Sequence, residues 1–118
     1  MKGGARPLAT LLLAVALGAA IWGLSPIMTG GVEPWDAEGV YYPLALALAG
    51  TVSGGLRPSP RWAHYAGACI GQIGYELLFL EHGPLLLLGA LFLLGYGLIF
   101  LAGAALAGAV RNRLAAAR

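Results

Sequence analysis

Charge is scarce in this 118-residue chain, at 10% of residues against ~25% in soluble globular domains. With 59% hydrophobic residues and a mean hydropathy of +0.80, an ordinary water-soluble fold is excluded. Intrinsic disorder is excluded from the other side, because disordered chains are poor in apolar residues. The length allows one domain at most and leaves no room for a soluble catalytic domain. Cys69 is the only cysteine, so there is no intrachain disulfide and no C-x-x-C redox pair. The two histidines, His64 and His82, are eighteen residues apart. Along a helix that is ~27 Å, too far for one haem or one metal. Both are expected at membrane surfaces, without a nucleophile and an orienting acid alongside, so no catalytic triad is expected. The expectation is no enzyme, no cofactor, no metal centre and no binding of nucleic acid, since no soluble basic domain would present the arginines.

What the chain does have is apolar length. Four stretches, 8–29, 40–56, 62–80 and 84–110, stand between the charges. A bilayer core ~30 Å thick needs ~20 helical residues, which the first, third and fourth supply and the second approaches. Breakers fall between them. Pro26 and Gly30-Gly31 close the first, Arg57-Pro58-Ser59-Pro60-Arg61 forms a turn, and Gly83-Pro84 places Pro84 at a favourable first helical position. Pro43 lies in the first turn of the second stretch, where its missing N–H costs little. The short loops predict antiparallel packing of consecutive helices. The fold expected is all-α: a single transmembrane domain of four helices in an antiparallel bundle.

The few charges are sorted. Lys2, Arg6, Arg57, Arg61, Arg111, Arg113 and Arg118 lie on one side of a four-pass arrangement, and Glu33, Asp36, Glu38 and Glu81 on the other. By the positive-inside rule both termini are cytoplasmic and the protein sits in the inner (plasma) membrane. Trp35, Tyr41 and Tyr42 outside and Trp62 inside match interfacial aromatic belts. A cleaved signal peptide, with Lys2 and Arg6 ahead of a site near Gly18-Ala19-Ala20, is the competing layout. The first apolar run, about 22 residues, exceeds the usual ~7–15 of such a segment.

The third stretch carries the most chemistry. At helical spacing Tyr65, Cys69, Gln72 and Glu76 form one stripe, and Gly67, Gly71 and Gly74 a second on nearly the opposite side. Glycine stripes let helices approach closely in lipid, and Gly50 and Gly54 repeat the pattern in the second stretch. The third helix is therefore expected at the centre. Glu76 is the one acid inside an apolar stretch, at a cost of roughly 2.5–3.5 kcal/mol if it stood at mid-bilayer. It can be read as a proton or cation site with Gln72, Cys69 and Tyr65 continuing the stripe. The plainer alternative is a carboxyl that reaches the outer interface or hydrogen-bonds a neighbouring helix. The acids of the outer loops, Glu33, Asp36, Glu38 and Glu81, could meet over the helix ends, but their spacing matches no recognised ligand pattern.

In length and helix number the chain is similar to the small multidrug-resistance transporters. Their membrane-embedded glutamate lies in the first helix, whereas residues 8–29 here contain no acid, so the similarity stops at size. The role expected is a structural or accessory subunit, packing in the bilayer with itself as a homodimer or with a larger membrane complex. The alternative is a dimeric proton- or cation-coupled transporter or channel using Glu76.

Overall fold

A computed structural model describes residues 2–31, 33–34, 39–80 and 83–117, with side chains from Pro7 onward. Four helices carry it: α1 (Lys2–Thr29), α2 (Tyr41–Leu56), α3 (Arg61–Phe79) and α4 (Leu86–Ala116). Helix makes up 87% of the structure, and no strand occurs among the described residues.

The boundaries differ from the sequence expectation at prolines. Helix α1 begins at Lys2 and runs through both Pro7 and Pro26. Pro26 cannot donate to the carbonyl one turn back, yet the helix continues for three more residues and ends at Gly30. There φ is +81°, a conformation that suits glycine, and the Gly30 N–H reaches the Pro26 carbonyl at 3.0 Å. Ser25 Oγ donates to the Gly31 carbonyl at 2.7 Å and locks the exit of the chain. Pro84 stands in a turn, and α4 starts two residues later, with the Leu86 N–H on the Gly83 carbonyl. Pro43 does lie in the first turn of α2.

The bundle does not place all consecutive helices side by side. Helices α1 and α3 pack along much of their length, as do α2 and α4, while α2 and α3 scarcely touch. Within each close pair residue numbers rise together: Gly67 meets Leu11 and Ala14 while Gly71 meets Val15 and Ala19, and Gly50 meets Phe100 while Gly54 meets Ala104. Both close pairs are therefore parallel. Contacts between the pairs run the other way. Tyr41 reaches Ile21 while Arg57 reaches Thr10, and Tyr65 reaches Leu94 while His64 faces Phe100. The helices thus follow the order α1, α3, α4, α2 around the bundle, and the 57–60 turn spans its diagonal.

Glycine decides the pairing. A Cβ at Gly67 would lie 2.6 Å from the Leu11 carbonyl, and at Gly18 2.6 Å from that of Ala68. At Gly50, Gly54 and Gly71 the facing carbonyls of Phe100, Ala104 and Val15 are nearer still. Backbones at this separation gain dispersion and Cα–H···O contacts that any larger residue would block. Gly74, expected in the same stripe, faces open space. The sequence step from Gly71 to Gly74 turns it away from α1.

Polarity is distributed with the apolar atoms outward. Thr10, Ser25, Ser53, His64, Gln72 and Glu76 are all buried. Leu44, Leu48, Val52 and Leu56 line the outer face of α2, and Ile70, Leu77 and Leu78 that of α3. Two helical segments, Pro7–Thr29 and Leu86–Ala116, are long and apolar enough to cross a membrane. Only 33% and 17% of their most apolar windows are buried, which is unlike the enclosed core helix of a soluble protein.

Candidate functional site

Gln72 stands where all four helices meet. It is fully buried on α3, and its Oε1 accepts from Trp22 Nε1 of α1 at 2.9 Å and from the Tyr42 hydroxyl of α2. Its Nε2 donates to the Ala68 carbonyl one turn back, at 3.1 Å. Two donors converge on one oxygen, which has two lone pairs, and this sets the orientation of the amide. Helix α4 joins through Tyr96, whose ring lies 4.6 Å from that of Tyr42. Trp22 meets Tyr42 edge-on at 6.4 Å, so the polar contact is walled by aromatic surface.

The rest of the α3 stripe divides. Tyr65 donates to the Leu94 carbonyl of α4 at 2.6 Å, and the Cys69 thiol fills the space beside Gly97. Cys69 is buried and free, a small core residue. Glu76, one turn above Gln72, is 5% exposed; its main-chain carbonyl accepts from the Leu80 N–H, and its carboxyl makes no hydrogen bond among the described residues. A carboxyl, a phenol and a carboxamide thus lie in the half of the bundle away from the 57–60 turn, and Gln72 Oε1 is the acceptor shared between helices.

A second polar centre, at the opposite end, escaped the sequence reading. His64 was expected at a surface and is fully buried. Its Nε2 lies 2.7 Å from the Arg57 carbonyl, which can only accept, so Nε2 carries the hydrogen. In the neutral ring Nδ1 then accepts from Ser53 Oγ at 2.8 Å. The turn is held from α1 as well, because Thr10 Oγ1 donates to the Ser59 carbonyl at 2.9 Å and accepts from Arg57 Nε at 3.0 Å. These bonds satisfy the Arg57 and Ser59 carbonyls of the turn just beyond α2. The signal was present: His64, Ala68, Gln72 and Glu76 recur at strict four-residue spacing, on the face that became the interior.

The small-residue faces are consumed within the chain. Gly67 and Gly71 receive α1, and Gly50 and Gly54 receive α4. Of the outer acids, Glu33 is half-buried, while Asp36, Glu38 and Glu81 lie outside the described residues, as do Trp35 and His82. Among the described residues no group of three or more His, Cys, Asp or Glu side chains gathers as a metal site. Compared with protein-family models, curated proteins and solved structures, the chain matches none of them.

Proposed function

We propose that this chain is a four-pass protein of the inner membrane, with both termini cytoplasmic, serving as a small structural or accessory subunit. The observation that carries the reading is the reversed polarity of the bundle. Its hydroxyl, imidazole, amide and carboxyl groups face inward, and leucines cover the outside of every helix. In water that coat would be a large exposed apolar surface; in lipid or against other membrane helices it is at no disadvantage. Helix α2, with 16 residues, spans about 24 Å, so it stands upright or thins the lipid locally. With the glycine faces occupied internally, partners meet the outer leucine faces, whether a second copy or a larger complex.

One observation favours a second role. Glu76 is a largely buried acid on the interior face of α3 whose carboxyl makes no hydrogen bond among the described residues and keeps an edge at the surface. Intramembrane acids of this kind serve as proton or cation sites. Reconstitution into vesicles separates the two readings. A proton or cation flux abolished by Glu76→Gln establishes transport and removes the accessory role. Absence of flux, together with fixed partners recovered on purification, leaves the accessory role and removes the other.

A further inference from the structure

Helix α4 outruns α2 at the end of the bundle that carries the arginines. Between them an open groove of about 710 Å³ remains, and Thr51, Gly55, Leu106, Val110, Arg111 and Leu114 line it. On α4 these positions recur at four-residue steps, so one helical face forms the wall. Gly55 leaves the floor open, since a Cβ there would meet no atom within 4 Å. The lining of the groove is mainly apolar, and its one charged member is Arg111, with Leu114 and Ala115 a turn further along α4.

That charge is held in place. Arg111 Nη1 donates to the Gly55 carbonyl at 2.8 Å and to the Leu56 carbonyl at 2.6 Å, closing the C-terminus of α2. The Nε and Nη2 N–H groups of the same guanidinium make no hydrogen bond among the described residues. A planar fork fixed on one edge and open on the other matches the oxygens of a phosphate. Arg113, two residues on, adds positive charge at the same end. Thr51 and Leu106 lie toward the middle of the bundle and Arg111 lies at its end. The groove therefore carries its charge in the half nearer the end of the bundle, in the sense in which a lipid of the cytoplasmic leaflet is oriented.

We propose that this groove is a binding site for an anionic phospholipid. One acyl chain lies along Leu106, Val110 and Gly55, and the headgroup phosphate is bound by the open edge of Arg111. The inference rests on the membrane placement proposed above, and it adds a defined lipid class and a defined seat. The test uses the full chain purified in detergent, with thermal unfolding followed on adding phosphatidylglycerol, phosphatidylcholine with the same acyl chains, or inorganic phosphate. Phosphatidylglycerol is expected to raise Tm by several degrees and the other two to leave it unchanged. Both Arg111→Gln and Gly55→Leu should abolish the rise. Gly55→Leu fills the groove while keeping the Arg111 cap, so it reports even if Arg111→Gln does not fold. An equal rise with phosphatidylcholine or with phosphate, or a rise that survives Gly55→Leu, overturns the site. Detergent-dependent extraction without any lipid preference overturns the site and leaves the membrane placement standing. Release of the chain by alkaline carbonate overturns both.

Discussion

The Oε1 atom of Gln72 holds two donors from two other helices. Replacing Gln72 by leucine keeps the volume but removes the acceptor that the Trp22 indole and the Tyr42 hydroxyl share. A buried donor that loses its acceptor costs about 1–3 kcal/mol. Gln72→Leu should therefore lower Tm in detergent markedly, whereas Tyr42→Phe, which removes one donor and leaves the acceptor satisfied by Trp22, should cost less. Equal stability of Gln72→Leu and the parent would show that the bonds contribute nothing. The sequence placed Gln72 beside Glu76 on one stripe, but it could not show which of the two is tied down. That depends on Trp22 and Tyr42, fifty and thirty residues away. His64 illustrates the opposite failure. Its position near a helix end read as surface, and burial followed only because the 57–60 turn folds back over it and lends it a carbonyl.

At the scale of the element, glycines that look alike in sequence separate into two kinds. Gly54 faces the Ala104 backbone too closely for a methyl group, while neighbouring Gly55 and also Gly74 face open space. Gly54→Ala should force α2 and α4 apart, at a cost of about 1–3 kcal/mol typical of overpacking. Gly74→Ala should be neutral, or stabilising by up to about 1 kcal/mol through helix propensity. Thermal unfolding of the two variants in the same detergent checks the contrast, and a larger loss from Gly74→Ala would refute the pairing. Apolar length and the placement of Gly30 made four helices legible in advance. Their ends were less so, because Pro26 reads as a stop, and the helix tolerates it where only one turn remains to be built. Likewise a G-x-x-x-G spacing announces close approach without naming the partner, which is set by which backbone presents a matching small face.

For the whole molecule, the proposed orientation makes Glu38 and Ser59 lie on opposite sides of the membrane. Single cysteines at these positions, in a Cys69→Ala background, should be labelled by an impermeant reagent from opposite faces of sealed vesicles. Labelling of both from one face would refute the four-pass arrangement. The replacement of Cys69 is feasible because its thiol is buried beside Gly97 and has no charged neighbour to activate it.

Composition and periodicity alone determined that this chain is helical, apolar and sorted in charge, because those properties are sums over residues and need no contact between distant ones. Only the tertiary structure decided that the close pairs are α1 with α3 and α2 with α4, and that consecutive α2 and α3 lie across the bundle from each other. It alone decided that Gln72 joins α1 and α2 through its amide oxygen while the Glu76 carboxyl makes no such bond among the described residues. The reason is that hydrogen bonds and backbone approach are pairwise: they exist between helices, and no single helix's sequence contains its partner.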